Sequence, residues 1–544
     1  MKWQYQNTTL PQSFEELSTI LLKNRAITDV DTFFNPPHPS TLGYENCGIS
    51  KEEVVKAHAR FAQAKEKKET VVIFGDYDAD GITATAIVWL ALREYGILAQ
   101  PFIPLRDKHG YGLSVQALEE VLTTFSPDLI VTVDNGIVAH TAAEFLESKG
   151  VDLILTDHHQ AEERIPPATA VVHTTDLCGA TVGWMLVHTL VSEAFANSLL
   201  DLAGIATIAD QVPLLGANRA FAFYGIKEIQ KTNRRGITSL LQSARVKRAD
   251  VDSGTVGYVL APRINAMGRL AHGLDALRLL CSQSPKQIAS LTHTLTDTNS
   301  QRQELTKDLF QEALEQAKIQ QDEHVIVVYS ASFHEGVIGL IAGRLVEYFS
   351  KPAIVLSISD TTAKASVRSV PGIHITNFLR KFKGEMTSLG GHPMAAGFGV
   401  EKEHMVSLID HLQTEARSTI DATLLEQSLT VEARIPQELI SLEMLNTLEK
   451  FAPFGSANEY PVFALHDVQV VSARAMGKDM NHLLLSVGVG ENEPPLKIVG
   501  WRKASLLKTM QVGQSITIAG YFEKNVWKEK VSLQFILTDI QKEA

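Results

Sequence analysis

Three aspartates alternate within the stretch 71-VVIFGDYDADGITATAI-87. They follow four apolar residues and precede an apolar helical pattern, so a buried strand should deliver them to a turn. Like charges two residues apart repel one another unless a cation neutralises them. The candidate metal ligands in this stretch are therefore Asp76, Asp78 and Asp80.

Two further strand patterns also end in groups that can bind a metal ion. DLIVTV is followed at once by Asp134, and DLILT is followed at once by Asp157, His158 and His159. In an open parallel sheet, ligands bind outside the carboxyl ends of the strands. The three loops should therefore meet at one edge of a sheet, although they are distant along the chain.

The ligand types indicate which metal such a site would hold. Carboxylates with a few imidazoles and no thiolate favour Mg²⁺ or Mn²⁺ over zinc. Several shared carboxylates favour two ions a few ångströms apart, which is the arrangement that activates water against a phosphodiester. Structural roles are the alternative: Asp80 directly precedes Gly81 and could cap the helix predicted at 82–96, whereas Asp76 and Asp78 precede that helix by too much to cap it.

The strands and helices predicted around these loops alternate, which predicts a doubly wound parallel sheet. A long polar helix follows and suits a bridge between two domains. A second β/α pattern and then short strands typical of a small all-β barrel complete the chain. The expected divisions are an N-terminal extension at 1–50, a catalytic domain at 51–283, a bridging helix at 284–320, a second α/β domain at 321–420 and an all-β domain at 421–544.

Composition limits the class of protein. A chain of 544 residues is too long for one core, so two to four domains are expected. The three cysteines form no CxxC pair, which argues against a zinc ribbon and fits a reducing compartment. The chain shows no signal-peptide pattern and no apolar run that could span a membrane, so we expect a cytoplasmic protein.

The net charge of −12 is unlike that of most nucleic-acid-binding proteins, but it is compatible with a local basic groove. Residues 227–248 hold seven basic residues and one acidic residue. This stripe could follow a phosphate backbone, and a solvated helix face is the alternative.

The motifs DYDADG, VDNG and TDHHQ, in this order and spacing, resemble those of the DHH phosphoesterase superfamily. TIADQVPLLGANR resembles its fourth motif, with Asp210 as the acidic residue. Further segments resemble the RecJ family of bacterial single-strand-specific 5′→3′ exonucleases: HGYGL, APRINAMGRL, FHEGVIGLIAGRL, ASVRSVPGI, GGHPMAAGFGV and FAPFGSANEYPVF. The resemblance implies a DHH domain, a bridging helix, a DHHA1 domain and a C-terminal OB-fold.

The resemblance also implies a centre of two Mn²⁺ or Mg²⁺ ions held by Asp76, Asp78, Asp80, Asp134, His158 and Asp210. In this scheme Asp76 and Asp78 each serve one ion, and Asp134 bridges both and is catalytic. His159 is the other catalytic residue: it stays off the ions and polarises the scissile phosphate or protonates the leaving group.

Phosphate and DNA binding is assigned by the same resemblance to Arg106, Arg263, Ser366, Arg368, Gly391 and His392, with Arg269 as a further candidate. The glycine-rich GGHPMAAG can bring N–H groups close to a phosphate, while Arg368 and His392 supply positive charge. Surface ion pairs are the alternative role of the arginines. Aromatic residues of the barrel could stack on bases or fill its core, and Trp527 is the best candidate for exposure; they are Phe463, Trp501, Tyr521, Phe522 and Trp527.

The predicted function is hydrolysis of single-stranded DNA from its 5′ end to 5′-mononucleotides, in DNA repair and recombination. One alternative is a DHH enzyme for dinucleotides, which typically lacks the bridging segment and the OB-fold. The other is a non-catalytic DNA-binding scaffold, which would have lost its acidic ligands. The resemblance makes a single-strand-binding protein and a helicase candidate partners, and we expect a monomer.

Overall fold

The structure, a computed structural model, describes residues 1–110, 112–489, 494–527 and 530–542. The chain begins with β1 (Lys2–Tyr5), α1 (Phe14–Asn24) and α2 (Val30–Phe34). β1 pairs in parallel with a strand at Ser428–Val431, and Leu17 and Phe33 lie in the core of the C-terminal domain. The sequence predicted only an N-terminal extension here, because the partner strand lies at the far end of the chain.

A five-stranded parallel sheet forms the centre of the first large domain, with the order β3-β2-β4-β5-β6. Its strands are β2 (Val71–Phe74), β3 (Ala99–Phe102), β4 (Leu129–Thr132), β5 (Asp152–Asp157) and β6 (Ala170–His173). β2 is buried throughout: Val71 and Ile73 enter one hydrophobic cluster, and Val72 and Phe74 enter another on the opposite face. Apolar cover on both faces is typical of a parallel sheet with helices on each side, as predicted.

The helices around this sheet are α3 (Lys51–Lys67), α4 (Ala79–Tyr95), α5 (Arg106–His109), α6 (Val115–Phe125) and α7 (His140–Ser148). A helical layer follows, and its helices are α8 (Gly179–Val187), α9 (Glu193–Ser198), α10 (Leu200–Ala209), α11 (Gly216–Lys231), α12 (Arg235–Ser243), α13 (Ser253–Thr255), α14 (Ala261–Leu270) and α15 (Gly273–Cys281). Within the described part of the chain, none of the helices combines the length and the apolar character that crossing a membrane requires.

The predicted bridging helix is α16 (Pro285–Lys318). Near its start Ile288 and Leu295 pack into the core of the first domain, and near its end Ala313 and Ala317 pack into a core of the second. Thr298, Asn299 and Thr306 are also buried along this helix, whereas most of its other polar side chains face solvent, as suits a bridge between two domains.

The second α/β domain has a mixed sheet with the order β10-β11-β9-β8-β7, in which only β7 and β8 are parallel. Its elements are β7 (Ile326–Ser330), α17 (Ile338–Phe349), β8 (Ala353–Ile358), β9 (Thr362–Arg368), α18 (Ile375–Arg380), β10 (Ser388–His392), β11 (Ala395–Glu401) and α19 (Met405–Thr419). β10 and β11 form a hairpin that carries the glycine-rich motif to the edge of the sheet.

The C-terminal domain is a barrel, because β14 pairs with β17 as well as with β15 and so closes the sheet. Its described elements are β12 (Ser428–Val431), β13 (Ala433–Arg434), α20 (Leu442–Glu449), β14 (Phe463–Met476), β15 (His482–Gly488), β16 (Leu496–Gly500), β17 (Ser515–Trp527) and β18 (Lys530–Lys542). The predicted all-β domain of OB type is confirmed.

One buried arginine ties the first domain to the C-terminal one. The guanidinium of Arg219, on α11, donates hydrogen bonds to the carbonyls of Phe33, Phe451 and Ala452 at 2.6, 3.1 and 2.8 Å. It also lies 3.8 Å from the ring centre of Phe33. Three carbonyls and one aromatic face replace the water that a buried guanidinium would otherwise need.

Candidate metal centre

The three predicted loops meet at the carboxyl edge of the parallel sheet. Two groups of side chains each present ligand atoms that lie within 4.8 Å of one another. The first group is Asp76, Asp78 and Asp134, and the second is Asp80, His158 and Asp210. Asp134 also forms such a group with His158 and His159, so its carboxylate lies between the two positions.

The first loop is positioned by the start of α4. Asp78 is the N-cap of this helix, and its Oδ1 accepts a hydrogen bond from the Gly81 N–H at 3.0 Å. The expectation that Asp80 is the better cap, and that Asp78 lies too far from the helix, is wrong because α4 begins at Ala79. A cap uses one carboxylate oxygen and leaves the other for a second partner.

Asp80 is held by the N-terminus of another helix. Its two carboxylate oxygens accept hydrogen bonds from the backbone N–H groups of Gly179 and Ala180, at 2.6 and 2.7 Å. These N–H groups begin α8, where the helix dipole favours a negative charge. Asp80 is therefore fixed in direction, and its Oδ2 lies 3.8 Å from His158 Nε2.

Asp134 lies in a left-handed backbone conformation, with φ of 63°. This conformation is uncommon outside glycine, although Asp and Asn adopt it more readily than most residues. A Cβ atom on Gly179 would lie 2.5 Å from the Asp134 Cβ, so only glycine fits at position 179. The strained turn directs the Asp134 carboxylate into the cluster, where its Oδ1 lies 3.1 Å from His158 Nε2.

His158 has the protonation state that metal binding requires. Burial is the largest influence on its pKa and lowers it, against the opposing charge of Asp80. A neutral imidazole is the form that binds a divalent ion. Its Nε2 also lies 3.8 Å from Asp210 Oδ2, at the end of α10.

His159 differs from its neighbour in charge. Its Nδ1 lies 2.7 Å from Asp157 Oδ1. Burial lowers the pKa of His159, but the hydrogen bond and charge of Asp157, together with Asp76 and Asp210, outweigh burial and raise it to about 9. An imidazolium does not bind a cation, so this geometry supports a place for His159 off the ions.

The acidic cluster requires positive charge. Burial, and then repulsion by Asp78, raises the pKa of Asp76 to about 8. Burial, and then repulsion by Asp80 and Asp78, raises the pKa of Asp210 to about 9. Burial and the four other aspartates raise the pKa of Asp134 well above its ordinary value.

Two buried oxygens show where the cations fit. Within the described part of the chain, Oδ1 of Asp76 and Oδ1 of Asp134 have no hydrogen-bond partner, and the approach of His158 to the second of them lacks hydrogen-bond geometry. Buried carboxylate oxygens are normally hydrogen-bonded or bound to a cation. Oxygen ligands with a single neutral imidazole suit Mn²⁺ or Mg²⁺, so the residues present fit a pair of such ions.

The grouping of ligands differs from the one inferred by resemblance. Asp76 and Asp78 lie in one group rather than serving one ion each, and Asp80 takes the place beside His158 and Asp210. The geometry therefore favours Asp76 and Asp78 for one ion and Asp80 for the other, with Asp134 between them.

Several residues that position the centre were missed by sequence reasoning. Asn265 Oδ1, on α14, accepts a hydrogen bond from the Ala79 N–H at 2.7 Å. A Cβ atom on Gly268 would lie 2.0 Å from the Tyr77 carbonyl oxygen, so α14 packs directly on the first loop. Asp157 accepts from the backbone of Ile137 as well as from His159. Asn265 and Gly268 both lie in the segment APRINAMGRL, from which only the two arginines were predicted to have a functional role.

The predicted phosphate-binding residues of the second domain lie beside the metal centre. The ring of His392 stacks on that of His159, with ring centres 5.6 Å apart. Ser366 and Arg368 lie on β9, and a Cβ atom on Gly339 would lie 3.0 and 3.2 Å from their side chains. Gly391 has φ of 143° and a Cβ there would meet the Ala395 carbonyl at 2.5 Å, so the hairpin requires glycine.

The pKa of His392 bears on one part of the phosphate-site prediction, the positive charge assigned to this residue. Burial, and then repulsion by His159 and His158, lowers the pKa of His392. His392 is therefore a neutral imidazole near pH 7, able to donate one hydrogen bond, rather than a source of positive charge.

Three arginines supply that positive charge instead: Arg106, Arg269 and Arg368. The guanidinium of Arg106 lies 5.5 Å from the ring centre of Tyr77, between the first two aspartates. Arg269 donates to the Gly336 carbonyl at 3.0 Å, and burial, followed by repulsion from Arg106 and Arg368, lowers its pKa to about 10. In the part of the chain that the structure covers, none of the three pairs with a carboxylate. A bound anion would relieve their repulsion.

The basic stripe at 227–248 is largely structural. Arg234 forms a buried ion pair with Asp201 at 2.9 Å, and Arg248 donates to the Thr232 carbonyl at 2.7 Å. Lys231 pairs with Glu228 at 2.9 Å. Three of the seven basic residues of this stripe are thus engaged with partners inside the protein, which favours a structural role over a continuous track for a phosphate backbone.

The aromatic residues of the barrel divide into core and surface. Phe463 and Phe522 are fully buried, whereas Trp501 is 51% exposed and packs edge-on against His482. Tyr521 is partly buried. The predicted exposure of Trp527 concerns a side chain that lies outside the described residues.

The metal-free protein should lose stability as pH rises. The folded-state pKa values of Asp76 and Asp210, about 8 and about 9, lie above the ordinary value of 3.8, so the folded state binds more protons over this range. His159, with a pKa raised to about 9, acts in the same direction above its ordinary 6.5. We expect the thermal midpoint in EDTA to fall from about pH 5 to about pH 9. Mn²⁺ should raise the midpoint most at the higher pH, because it competes with protons.

Circular dichroism melts at both pH values, with EDTA and with Mn²⁺, check this expectation. Asp467→Asn, at an exposed position of the barrel, is the control and should keep the full Mn²⁺ response. A midpoint in EDTA that rises with pH would contradict the account of the cluster.

Comparison with known proteins agrees with this architecture. The sequence matches the N-terminal domain of the DHH family over residues 70–209, the DHHA1 domain over 322–418 and the RecJ OB domain over 431–539. The single-stranded-DNA-specific exonuclease RecJ of Bacillus subtilis (strain 168) is 33% identical over 497 residues, which are 89% of this chain and 63% of that protein. The chain thus spans less than two thirds of the length of this relative.

Two solved structures are also similar. The crystal structure of RecJ in complex with Mn²⁺ from Thermus thermophilus has a TM-score of 0.84 and 26% identity, covering 100% of this chain and 80% of that chain. A crystal structure of exonuclease RecJ bound to manganese is 31% identical with a TM-score of 0.60, covering 68% of this chain and 96% of that chain.

The protein is a DHH phosphoesterase with a DHHA1 domain. This class is defined by the parallel sheet with its acidic edge and by the second domain that α16 joins to it. The barrel narrows this class, because it matches the OB domain of one family within it. The chain belongs to the RecJ family.

Proposed function

We propose that this chain hydrolyses single-stranded DNA from the 5′ end and releases 5′-mononucleotides. The relatives named RecJ are described as single-stranded-DNA-specific exonucleases. The observation that carries the proposal is the stacking of His392 on His159, which places the second domain directly against the metal centre. A strand end gripped there can present only its first linkage to the ions.

The acidic residues would hold the ions in two groups. Asp76 and Asp78 would bind one ion, Asp80, His158 and Asp210 the other, and Asp134 both. When bound, divalent ions acidify water and neutralise charge on a phosphate oxygen. The helix termini at Gly81 and at Gly179 fix the carboxylates beforehand, so binding requires little rearrangement.

His159 would act on the phosphate itself. Asp157 fixes the ring of His159 and keeps it protonated near pH 7. A positioned imidazolium can donate a hydrogen bond to a phosphate oxygen as negative charge develops, or a proton to the 3′ oxygen that leaves. His392, stacked beside it, would close the far side of this position.

The terminal phosphate would lie among Arg368, Ser366 and the hairpin at Gly391. Arg368 Nη1 lies 3.4 Å from Ser366 Oγ and donates to the Val367 carbonyl, which directs the guanidinium toward the same side as the hydroxyl. Charged and neutral donors around one point suit a phosphate monoester, which carries more negative charge than the diester behind it. Arg106 and Arg263 are proposed contacts for the following phosphates.

Digestion of an oligonucleotide labelled separately at each end tests the proposal. We expect early release of a labelled mononucleotide from the 5′ end with Mn²⁺ or Mg²⁺, none with EDTA, and a spared duplex. Cleavage of a dinucleotide alone, or tight binding with no cleavage under any metal, would contradict the proposal. The monomeric state, the cytoplasmic location and the partners named above stay predictions.

Replacing Arg368 with glutamine should remove the preference for a phosphorylated 5′ end, because the terminal phosphate loses its charged donor. Each charge-assisted contact contributes roughly 1.5–3 kcal/mol, so the preference should fall about tenfold or more. The measurement compares kcat/KM on 5′-phosphorylated and dephosphorylated oligonucleotides. His392→Ala should lower the same ratio, by a smaller factor because its contact is neutral.

Arg380→Gln is the matched control, since this exposed arginine lies in the same domain and, among the described residues, its side chain donates a hydrogen bond to Asn377 alone. If the ratio is unchanged in Arg368→Gln, the terminal phosphate does not bind at this position.

A further inference from the structure

The catalytic domain carries one tyrosine, Tyr258, whose side chain lies almost entirely in solvent. Tyr258 is 84% exposed, the largest exposure of any aromatic side chain in the described residues. It lies on a π-helical turn at Val256–Leu260, and such turns are frequent at functional sites.

The turn that carries Tyr258 is adjacent to the metal centre. Its neighbour Gly257 packs on α10, because a Cβ atom there would lie 3.8 Å from Ile208. Ile208 precedes Asp210, the residue at the end of that helix, by two positions. The turn is also pinned from α14, since Arg263 Nη1 donates to the Val259 carbonyl at 2.7 Å.

Arg263 itself indicates an anion beside the turn. Its Nε is buried and has no hydrogen-bond partner within the described part of the chain. A guanidinium with one engaged arm and one unpaired buried donor suits a phosphate group. Tyr258 thus stands five residues before a donor that suits the backbone of a nucleic acid.

The C-terminal domain carries a small aromatic cluster of its own. Tyr521, on β17, packs edge-on against Tyr460 with ring centres 5.5 Å apart, and Tyr460 packs against Phe454 at 4.5 Å. Burial, then Glu523, and then Tyr258 raise the pKa of Tyr521.

The catalytic domain and the C-terminal domain also contact each other just after the end of α10. The Leu214 N–H, shortly after Asp210, donates to the Ser456 carbonyl of the C-terminal domain at 2.8 Å. A Cβ atom on Gly455 would lie 2.7 Å from the Leu214 side chain. The C-terminal domain therefore packs against the segment that directly follows Asp210.

We propose that Tyr258 is a base-stacking residue that receives one base of the single strand as it enters the metal centre. The inference rests on the proposed function and adds a binding residue to it. Every base has an aromatic face, so such a contact is independent of sequence. A paired base has its faces covered by its neighbours, so the contact also favours single strands over duplex.

Substitutions at Tyr258 test the proposal through two substrates. Tyr258→Leu keeps an apolar side chain and removes the aromatic face, whereas Tyr258→Phe and Tyr258→Trp keep the face. We expect Tyr258→Leu to lower the ratio of kcat/KM on a 5′-phosphorylated oligonucleotide to that on a 5′-phosphorylated dinucleotide about tenfold. Tyr258→Phe and Tyr258→Trp should restore the ratio, and the loss should appear in KM.

Tyr348→Leu is the matched control, because Tyr348 is 53% exposed and lies on α17, in the second domain. The control should keep the wild-type ratio. Thermal midpoints of all variants exclude a loss of folding as the cause.

A fluorescent base locates the contact directly. 2-Aminopurine loses fluorescence when it stacks. Single-stranded oligonucleotides that carry it at successive positions from the 5′ end are bound to the full-length Asp134→Asn protein, with Tyr258 or with Leu at position 258. We expect one position at which quenching depends on an aromatic residue at 258. An equal quenching profile in the Tyr258→Leu protein, or an equal loss in Tyr348→Leu, would overturn the stacking proposal. If the wild-type protein cuts neither substrate, the proposed function fails and the stacking proposal with it.

Discussion

Replacing Asp134 with asparagine should lower turnover at least about a thousandfold while single-strand binding persists. Asp134 is the one carboxylate that lies within ligand distance of both groups of candidate ligands among the described residues. Asparagine tolerates the left-handed backbone at this position and keeps the size of the side chain, so folding should survive. Single-turnover cleavage with saturating Mn²⁺, beside a binding titration in EDTA, measures the two properties separately.

Asp467→Asn controls for the substitution itself. Asp467 also has a positive φ, of 54°, but lies exposed on the barrel. Its variant should cleave like the wild-type protein. Near-normal turnover in purified Asp134→Asn would show that this carboxylate does not join the ions.

Replacing His159 with glutamine should lower kcat by about a hundredfold or more, with little change in KM or in the stabilisation by Mn²⁺. His159 is held by Asp157 at 2.7 Å and is protonated near pH 7, which suits a hydrogen-bond donor to the phosphate rather than a ligand. Glutamine keeps a neutral donor but cannot carry the charge or transfer the proton.

Comparing the loss of kcat with any loss of Mn²⁺ affinity in His159→Gln decides the role of this residue. A His159→Gln protein whose Mn²⁺ affinity falls in step with kcat would make His159 a ligand, as its closeness to Asp134 and His158 allows. His293→Gln, at an exposed position of α16, serves as the control.

Much of the site could be predicted because local pattern and topology agree. Buried strands at Val71–Phe74, Leu129–Thr132 and Asp152–Asp157 were visible as short apolar runs. Parallel strands bring their carboxyl ends to one edge, so Asp76, Asp134 and His158 could be placed together without coordinates.

The positioning of these residues could not be predicted, because it depends on contacts between distant segments. The backbone N–H groups at 179 and 180 that hold Asp80 come from a helix about a hundred positions away. Asn265 bonds to the start of α4 across 186 positions. Nothing in the local sequence identifies such partners.

The pattern of charge along the sequence was the least reliable predictor of DNA-binding residues. The stripe at 227–248 looked like a track for DNA, yet Arg234 and Arg248 serve the packing of the helical layer. The arginines that lack carboxylate partners among the described residues are scattered in sequence, at 106, 269 and 368, and converge only in the fold. An excess of basic residues in one segment says little until their partners are known.

The central claim is that this acidic centre holds two divalent ions with Asp134 between them. Anomalous diffraction from crystals of the wild-type protein soaked in Mn²⁺ tests it most directly. The account predicts two peaks about 4 Å apart, one beside Asp76 and Asp78 and one beside Asp80, His158 and Asp210. A single peak, or two peaks that Asp134 does not touch, would contradict it.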